Sequence, residues 1–340
     1  MRIGIVNDRP LAVEALRRAV ALKPEHQVIW VARHGGEAVQ LCAKTTPDLV
    51  LMDLIMPEMD GVEATRRIMA STPCAILIVT ASVGANSRRA FEAMGYGALD
   101  AVDTPGLGSA DPERSAAPLL TKIETVGRML NHERGVRDRG RHQHARRRLT
   151  AADRLVAIGA SAGGPAAVAT VLRGLPKDFP AAIVVIQHVD AQFAAGMATW
   201  HGQQTALTVR VAVEGDPLAP GTVLLAGTNN HLVLKGPDRV GYDVEPGEYT
   251  YRPSVDVFFQ SVSHHWPGEA VGVLLTGMGR DGAVGLRALR NQGHHTIAQD
   301  EASSVVYGMP KAAARLQAAV DILSVDRIAP QLLEIVTCAK

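Results

Sequence analysis

Cysteine and aromatic residues are scarce in this sequence. Its 340 residues include 3 cysteines, and aromatic side chains make up 4% of the chain. The cysteines stand far apart, at Cys42, Cys74 and Cys338. Such spacing provides neither a disulfide framework nor a metal-binding motif, and it suits a protein of the reducing cytoplasm.

Long apolar runs and a large excess of charge of either sign are also missing. No apolar run reaches the roughly 20 residues that a membrane-spanning helix needs, and a formal net charge of +1 does not indicate nucleic-acid binding. The first residues, Met1–Asp8, have the character of a strand, so we expect no signal peptide and no membrane insertion. With 47% hydrophobic and 20% charged residues, the composition is that of a soluble globular protein of two domains.

Apolar residues nearly vanish between Asn131 and Thr150, where arginine accumulates and ends in the run Arg146–Arg148. A segment of such low hydrophobicity and high charge cannot offset the entropy lost on ordering, so we predict a flexible basic linker over 131–150. A basic run can also touch nucleic acid or anionic lipid, but no aromatic residue is interleaved here to stack on bases. The linker separates a domain over 1–130 from a domain over 151–340.

The first 130 residues alternate between strand-like and helix-like segments. The strand-like runs, each rich in apolar residues, are Ile3–Val6, Val28–Val31, Leu49–Met52, Ala75–Val79 and Ala98–Val102. The helical segments are Ala12–Leu22, Gly36–Ala43, Val62–Ala70, Arg88–Met94 and Leu119–Leu130. This fivefold alternation predicts an α/β domain of (βα)5 type with a parallel sheet.

Polar residues follow three of these strands. Asn7 and Asp8 come after the first strand, Asp53 after the third and Thr80 after the fourth. Ligands of parallel α/β sheets bind beyond the carboxyl ends of the strands. Two carboxylates at that edge are suited to Mg²⁺, and one of them can accept a phosphoryl group. Each of these residues, taken singly, is equally compatible with a helix cap.

The second domain is organised around the segment Arg154–Pro165. Its apolar run Leu155–Ile158 leads into a turn of glycine, alanine and serine, and the helical stretch Ala166–Leu172 follows. Ser161 therefore stands between a strand end and a helix start, where free N–H groups and the helix dipole stabilise negative charge. The turn fits a phosphate or an ester oxyanion, and it also fits a simple helix cap.

Further strand-like runs, interspersed with helical stretches, predict that this second α/β domain is doubly wound and mainly parallel. These runs are Ile183–Ile186, Thr208–Val213, Thr222–Leu225, His231–Leu234, Ala270–Leu275 and His295–Ile297. His188 follows the first of them and Asp281 follows the fifth. A serine, a histidine and an aspartate at the carboxyl ends of separate parallel strands can form the triad of nucleophilic acyl transfer.

A rival triad exists in the same sequence. Gly159–Gly163 fits the nucleophile elbow of α/β-hydrolases, whose acid and histidine follow the serine in that order. Asp281 followed by His294 or His295 would complete such a triad. In that fold, however, several strands precede the elbow, whereas Ser161 follows the first strand of its domain.

The stretch Pro47–Gly61, Pro-Asp-Leu-Val-Leu-Met-Asp-Leu-Ile-Met-Pro-Glu-Met-Asp-Gly, resembles the receiver domain of two-component response regulators. The resemblance extends over the whole first domain. It implies that Asp53 accepts a phosphoryl group and that Thr80 is the switch hydroxyl. It also implies a Mg²⁺ site formed by Asp8, Asp53 and the carbonyl of Ile55.

Two positions depart from the receiver pattern. Receivers usually carry an acidic pair where this chain has Asn7 and Asp8, and a lysine where it has Thr104 before Pro105. That lysine would contact the phosphoryl group. We therefore expect weaker coupling between phosphorylation and activity than in relatives that keep it.

Five stretches of the second domain together resemble the chemotaxis-type protein-glutamate methylesterase family, CheB. They are Gly-Ala-Ser-Ala-Gly-Gly-Pro (159–165), Val-Ile-Gln-His (185–188), Tyr-Arg-Pro-Ser-Val-Asp (251–256), Leu-Leu-Thr-Gly-Met-Gly-Arg-Asp-Gly-Ala (274–283) and Thr-Ile-Ala-Gln-Asp-Glu-Ala-Ser-Ser-Val-Val-Tyr-Gly-Met-Pro (296–310). With the receiver, the resemblance covers essentially the full chain apart from the linker. The opening residues and the stretch Ala-Val-Asp-Thr-Pro look more like the Wsp-type branch, which serves a surface-signalling receptor system, than the flagellar branch.

This resemblance implies a role for each residue at the strand ends. Ser161 is the nucleophile, His188 the base and Asp281 the orienting acid. The backbone N–H groups of Ala162 and Met278 hold the oxyanion. The implied reaction is hydrolysis of glutamyl γ-methyl esters on the helical cytoplasmic domain of a chemoreceptor-like protein, with deamidation of specific glutamines as a second activity. The esterase needs no cofactor, the receiver binds Mg²⁺, and a CheA-type histidine kinase supplies the phosphoryl group.

Two other classes of function fit parts of the sequence. A non-catalytic signalling adaptor would bind partners with both domains and keep a vestigial esterase site, but Ser161, His188 and Asp281 are all intact. A nucleotide-binding domain would need a Gly-x-Gly-x-x-Gly fingerprint and an acidic residue after the next strand, where Gln187 and His188 stand. The sequence therefore favours a serine esterase controlled by a receiver.

Overall fold

The computed structural model describes residues 1–106, 111–131, 154–247, 249 and 251–338. The chain divides into two compact units, Met1–Glu133 and Arg134–Lys340. The predicted linker over 131–150 lies outside the described residues, except for Asn131, which is the last residue of a helix. Within the described part of the chain, no helix is both long and apolar enough to cross a membrane.

The first unit contains a five-stranded parallel sheet and five helices among its described residues. In chain order its elements are β1 (Arg2–Val6), α1 (Pro10–Ala21), β2 (Gln27–Ala32), α2 (Gly35–Lys44), β3 (Leu49–Met52), α3 (Gly61–Ser71), β4 (Ala75–Thr80), α4 (Ser87–Gly95), β5 (Asp100–Asp103) and α5 (Pro112–Asn131). The strands lie in the order β2-β1-β3-β4-β5. The predicted (βα)5 architecture is confirmed.

Burial on both faces of the sheet explains why its strands form continuous apolar runs. Every residue of β3 and β4 is buried, as expected for central strands of a parallel sheet covered by helices. Helix α5 begins at Pro112, seven residues before the predicted start at Leu119. Pro118 lies inside this helix. Because proline usually ends a helix, the sequence pattern does not predict the helical turns that precede Pro118.

The second unit is a larger α/β domain. Its elements are β6 (Arg154–Ala160), α6 (Gly164–Arg173), β7 (Ala182–Gln187), α7 (Ala191–Gly202), β8 (Thr208–Val211), β9 (Asp216–Pro217), β10 (Thr222–Leu225), β11 (His231–Leu234), β12 (Arg239–Asp243), α8 (Val255–His265), β13 (Glu269–Leu274), α9 (Ala283–Asn291), β14 (His295–Gln299), α10 (Met309–Arg315), β15 (Asp321–Leu323) and α11 (Val325–Cys338). Seven strands form one parallel sheet in the order β15-β14-β13-β6-β7-β10-β8. The doubly wound, mainly parallel fold is confirmed.

The chain leaves β6 in one direction along the sheet, through β7, and later returns to its other side with β13. The strand order therefore reverses between β6 and β13. In open α/β sheets, a crevice forms at such a point, beyond the carboxyl ends of the strands. This topology places the residues that follow β6, β7 and β13 around one crevice.

Three strands of the second unit form a small antiparallel sheet, in the order β11-β12-β9. The sequence pattern predicts the run His231–Leu234 but does not assign it to a separate sheet. Strands β9, β12 and β15 are not predicted at all. They are short, β12 contains Gly241, and glycine weakens the strand pattern that an apolar run would otherwise show.

Candidate active site

Ser161 directly follows β6 and precedes the first turn of α6. It is buried, with 3% of its surface exposed. Its N–H donates to the carbonyl of Thr276 (3.0 Å), and its own carbonyl accepts from the N–H of Gly164 (2.8 Å). Gly163 adopts the left-handed conformation (φ 77°), which lets the chain turn sharply from strand to helix. The turn thus fixes Ser161 at the sheet edge, at the N-terminus of α6.

His188 lies beside Ser161 because the two residues follow paired strands. In the parallel pair β6–β7, Ala160 is opposite Gln187. The N–H of His188 donates to the carbonyl of Ala160 (3.0 Å). Residues in register on neighbouring parallel strands point to the same side of a sheet. Ser161 and His188, one residue further along, therefore emerge next to each other at the edge.

Asp281 reaches the same place from β13, on the other side of β6. Its Oδ2 atom lies 2.7 Å from Nε2 of His188, and both residues are buried. The carboxylate also accepts hydrogen bonds from the hydroxyl of Ser254 (2.8 Å) and the N–H groups of Val255 (2.7 Å) and Asp256 (3.1 Å). These donors hold the carboxylate at the positive, N-terminal end of α8.

The pairing with Asp281 determines which nitrogen of His188 can act as a base. A neutral imidazole that bonds a carboxylate through Nε2 carries its proton there, which leaves a lone pair on Nδ1. The Nδ1 atom is buried and has no hydrogen-bond partner among the described residues. An unprotonated ring nitrogen held in this way can take a proton from a neighbouring hydroxyl group.

Two buried carboxyl groups of this site have opposite pKa shifts. Burial by itself would raise the pKa of Asp281, but the hydrogen bond and charge of His188, together with the N–H donors of α8, outweigh burial and lower that pKa. Asp256, in the first turn of α8, accepts a hydrogen bond from the N–H of Gly285 in α9 (2.7 Å). Burial, and then the charge of Asp281, raise the pKa of Asp256 well above its usual value. The two shifts therefore favour the charged form of Asp281 and the protonated form of Asp256.

Replacing Asp256 with asparagine is expected to remove a pH-dependent loss of stability. Because the folded-state pKa of Asp256 is raised, the folded protein keeps a proton that the unfolded chain releases above about pH 4. The wild-type free energy of unfolding therefore falls, by about 1.4 kcal/mol per pH unit for this one proton, until the folded-state pKa is reached. Asparagine keeps an oxygen for the N–H of Gly285 but does not titrate.

Urea unfolding of the wild-type and Asp256→Asn proteins at a series of pH values between about 4.5 and 7 measures this difference directly. The difference in unfolding free energy, variant minus wild type, should grow as the pH rises. A difference that stays constant over this range would contradict the raised pKa.

The two predicted oxyanion donors flank Ser161. Ala162 follows it in the turn, and Met278 lies in the loop after β13. That loop runs against the serine, because a Cβ atom added at Gly277 would lie 2.7 Å from Cβ of Ser161. Among the described residues, no acceptor is found for the N–H of Ala162 or of Met278. The structure therefore places both predicted donors close to Ser161.

The histidines of the rival triad lie at the opposite edge of the sheet. His295 is the first residue of β14, whereas Ser161 follows the last residue of the parallel strand β6. His295 bonds Asp321 (2.7 Å), and Nδ1 of His294 accepts from the N–H of Ala270 (3.3 Å). The α/β-hydrolase order of the triad is therefore incompatible with this topology.

Four residues without a predicted role contribute to the crevice. Ser254 and Asp256 stand at the start of α8, as described above. Gln187 donates through Nε2 to the carbonyl of Ser161 (2.9 Å). The ring of Tyr251 stacks on the imidazole of His188. The available signal for all four was their position in the stretches Val-Ile-Gln-His and Tyr-Arg-Pro-Ser-Val-Asp.

A second candidate site lies at the carboxyl edge of the five-stranded sheet. Asp53 follows β3 and is buried, and its Oδ1 atom accepts from the N–H of Leu54 (2.7 Å). The side-chain amide of Asn7 donates to its Oδ2 atom (3.1 Å). Burial raises the pKa of Asp53, although the adjacent N–H donors and the Thr80 hydroxyl oppose that rise. Asn7 thus bonds the carboxylate that the receiver resemblance assigns to phosphorylation.

The residues predicted to hold Mg²⁺ fit that ion by their chemistry. The negative charge of Asp8 contributes to the raised pKa of Asp53, which indicates that the two carboxylates lie close together. Mg²⁺ takes oxygen ligands of this kind, and the carbonyl of Ile55 is a third. No cluster of three or more His, Cys, Asp or Glu side chains suited to a metal is found in the described parts of the chain. A Mg²⁺ ion held here would therefore have two carboxylates and one backbone oxygen as its protein ligands.

Thr80 and Thr104 complete this edge. The hydroxyl of Thr80 accepts a hydrogen bond from the amide of Asn86 (3.3 Å), and the N–H of Thr104 donates to the carbonyl of Thr80 (2.9 Å). Thr104 therefore follows β5, with β4 between it and the strand that Asp53 follows, and the lysine of other receivers would carry a positive charge at this position.

Two family models match the chain. The model of the CheB methylesterase covers residues 156–332, and that of the response regulator receiver domain covers residues 3–106. Among curated relatives, the protein-glutamate methylesterase/protein-glutamine glutaminase 3 of Pseudomonas aeruginosa is 60% identical over 98% of this chain and 99% of its own. The correspondingly named protein 1 of Burkholderia lata is 60% identical over 98% of each chain.

One solved structure supports the fold of the second unit. The CheB methylesterase catalytic domain of Thermotoga maritima is 34% identical, covers 53% of this chain and 97% of its own, and gives a TM-score of 0.52. Together with relatives that are 60% identical over nearly the whole chain, this likeness leads to one conclusion. The chain belongs to the CheB methylesterase family and carries a response-regulator receiver domain.

Proposed function

We propose that this protein is a receiver-controlled protein-glutamate methylesterase that hydrolyses glutamyl γ-methyl esters on the helical cytoplasmic domain of a chemoreceptor-like protein. One observation carries the proposal: the His188–Asp281 pair (2.7 Å) lies beside Ser161 where β6, β7 and β13 end. The names of the relatives from Pseudomonas aeruginosa and Burkholderia lata support the substrate class.

In the first half of the reaction, the hydroxyl oxygen of Ser161 attacks the ester carbonyl. Nδ1 of His188 takes the hydroxyl proton, and Asp281 stabilises the resulting imidazolium through Nε2. The tetrahedral oxyanion accepts hydrogen bonds from the N–H groups of Ala162 and Met278. The imidazolium then gives its proton to the methoxy oxygen, methanol leaves, and a glutamyl-serine ester remains.

In the second half of the reaction, a water molecule hydrolyses the glutamyl-serine ester, again with His188 as the base. Nδ1 of His188 takes a proton from the water as its oxygen attacks the glutamyl-serine ester. Collapse of the second tetrahedral intermediate returns the proton to the oxygen of Ser161 and leaves a free glutamate carboxylate. A glutamine side chain would follow the same route with ammonia as the leaving group, which is the proposed second activity. None of these steps needs a cofactor.

The test is methanol release from membranes that carry a receptor with radiolabelled methyl esters. The wild-type protein should release labelled methanol in proportion to enzyme concentration. The competing function, a signalling adaptor with a vestigial esterase site, predicts binding to these membranes without methanol. Binding without release by the folded, phosphorylated protein would therefore overturn the proposal.

The receiver domain controls the esterase activity in this proposal. We propose that Asp53 accepts a phosphoryl group from a CheA-type histidine kinase, with Asp8, Asp53 and the Ile55 carbonyl holding Mg²⁺ and Thr80 acting as the switch hydroxyl. Bound Mg²⁺ would offset the negative charge that gathers between the carboxylates and the incoming phosphoryl group. The amide of Asn7 orients Asp53 without adding a charge.

An Asp53→Asn variant should be insensitive to a phosphoryl donor. Acetyl phosphate with Mg²⁺ should raise the esterase activity of the wild-type protein by about fivefold, the lower end of ordinary allosteric coupling. We expect the lower end because Thr104 supplies no cation to pair with the phosphoryl group. The measurements are methanol release and incorporation of label from radioactive acetyl phosphate.

Asp238→Asn serves as the matched control, because Asp238 is an exposed aspartate of the second unit. This variant should respond to the donor as the wild type does. Undiminished labelling and activation of Asp53→Asn would place the phosphorylation site at another residue.

The proposed partners follow from this chemistry. They are a methylated receptor and a histidine kinase, both met in the cytoplasm, and the resemblance to the Wsp-type branch favours a surface-signalling system. The two cysteines described, Cys42 and Cys74, are free thiols, as a cytoplasmic protein would have them.

A further inference from the structure

Tyr251 makes an unusually close contact with the proposed catalytic histidine. Its ring lies parallel to the imidazole of His188, with ring centroids 3.7 Å apart and an angle of 7° between the planes. Tyr251 precedes the segment that starts α8, from which Ser254 and Val255 bond Asp281. The same stretch of chain therefore covers the face of the imidazole and fixes its carboxylate partner.

The hydroxyl group of Tyr251 has no structural function in the part of the chain that the structure describes. Its oxygen is buried and has no hydrogen-bond partner among the described residues. Buried tyrosine hydroxyls normally find a partner. A phenylalanine would stack on His188 equally well without burying a polar group. Packing against the imidazole thus accounts for the ring of Tyr251 and leaves its hydroxyl unexplained.

This hydroxyl lies against the same loop segment that contacts Ser161. A Cβ atom added at Gly277 would lie 2.7 Å from Cβ of Ser161, and one added at Gly279 would lie 3.5 Å from the hydroxyl oxygen of Tyr251. The short segment from Gly277 to Gly279 therefore runs from the nucleophile to the tyrosine. Between its ends stands Met278, whose N–H is a proposed oxyanion donor.

We propose that the hydroxyl of Tyr251 donates a hydrogen bond to the tetrahedral oxyanion, as a third donor beside the N–H groups of Ala162 and Met278. The ligand that completes its hydrogen bonding is thus the intermediate formed from the glutamyl ester. This inference rests on the proposed role of Ser161 as the nucleophile, since the oxyanion exists only after that attack.

The protonation state of Tyr251 suits a donor. Burial, and then the charge of Asp281, raise the pKa of Tyr251 above its usual value. The hydroxyl therefore keeps its proton throughout the pH range in which a histidine base works. A phenolate at this position would repel the oxyanion, so the raised pKa favours the stabilising form.

The test is a Tyr251→Phe variant of the full-length protein, which keeps the stacked ring and removes the hydroxyl. The probe is a synthetic helical peptide that carries one glutamyl γ-methyl ester, with methanol release as the readout. Loss of one oxyanion donor lowers kcat by about a hundredfold or more. We expect a fall of about this size in kcat, with KM within about twofold of the wild-type value, because the bond forms only with the intermediate.

Tyr242→Phe is the matched control. The hydroxyl of Tyr242 accepts from the N–H of Gly227 (2.9 Å) and donates to the carbonyl of Ala212 (2.9 Å) in the second unit. Its removal should lower Tm while kcat stays at the wild-type value. Tyr251→Phe should show the reverse pattern, with Tm preserved and kcat reduced. A Tyr251→Ala variant, which also removes the ring, should lose still more of its kcat.

Each of the other possible outcomes would contradict the proposed role of Tyr251. A Tyr251→Phe protein with kcat within about threefold of the wild type would overturn the proposal, while an active wild type and an inactive Ser161→Ala variant would leave the proposed esterase function intact. A reduced kcat that is matched by a lower Tm and a higher KM would assign a structural role to the hydroxyl and equally overturn the proposal. A wild type without methanol release would contradict the proposed function itself, and this inference with it.

Discussion

A Ser161→Ala variant is expected to release methanol from a methylated receptor at least about a thousandfold more slowly than the wild-type protein. Removing a triad nucleophile leaves only the acceleration due to the oxyanion donors and binding. The substitution should not disturb the fold. Alanine keeps the Cβ atom beside Gly277, and the backbone bonds of this residue to Thr276 and Gly164 do not involve the hydroxyl.

Ser263→Ala provides the control for this experiment. Ser263 is also buried but lies near the far end of α8, so its replacement should leave the rate unchanged. Thermal unfolding of both variants checks that the loss of activity is not a loss of folded protein. More than about a tenth of the wild-type rate in Ser161→Ala would remove this serine from the mechanism.

The second large effect is expected for His188→Gln. Glutamine has no nitrogen lone pair that can accept the serine proton, so turnover should fall by about four orders of magnitude, as for other triad members. His295→Gln is a closely matched control. His295 also bonds an aspartate through Nε2 at 2.7 Å, but it stands at the amino end of its strand. That variant should keep most of its activity, and so should His294→Gln.

These three histidine variants decide between two topologies for the triad. The measurement is the initial rate of methanol release at equal concentrations of folded protein. If His295→Gln or His294→Gln were inactive and His188→Gln active, the catalytic crevice would lie at the other edge of the sheet. The strand order observed for β13, β6 and β7 could not then support the reaction.

Local chemistry accounts for most of what the sequence predicts correctly. Most of the predicted strands lie in the two parallel sheets, and the continuous apolar runs of the central ones distinguish them from the amphipathic helices. The exceptions are elements that contain a residue unfavourable to their own local pattern. Strand β12, with Gly241 at its centre, is stabilised by its antiparallel partners β11 and β9, and α5 continues through Pro118.

In the candidate site, too, local patterns predict some residues and not others. The turn at Ser161, the residue after β7 and the acid after β13 are visible in sequence because each follows an apolar run at a strand end. The roles of Tyr251 and Ser254 are not visible, because they depend on where the start of α8 packs. The sequence also does not show how Asp256 and Asp281 bond the starts of two helices. Asp281 accepts from the N–H of Asp256 at the start of α8, and Asp256 accepts from the N–H of Gly285 at the start of α9, although the two segments are about 25 residues apart.

The sequence by itself determined two α/β domains, the residues at their strand ends and the family to which they belong, since these depend on local patterns of burial and on motifs. The tertiary structure alone decided which strand ends meet. The strand order β13-β6-β7 brings Ser161, His188 and Asp281 to one crevice and leaves His295 at the opposite edge. It also decided that His188 bonds Asp281 through Nε2, because the orientation of a side chain follows from the packing of neighbours that are distant in sequence.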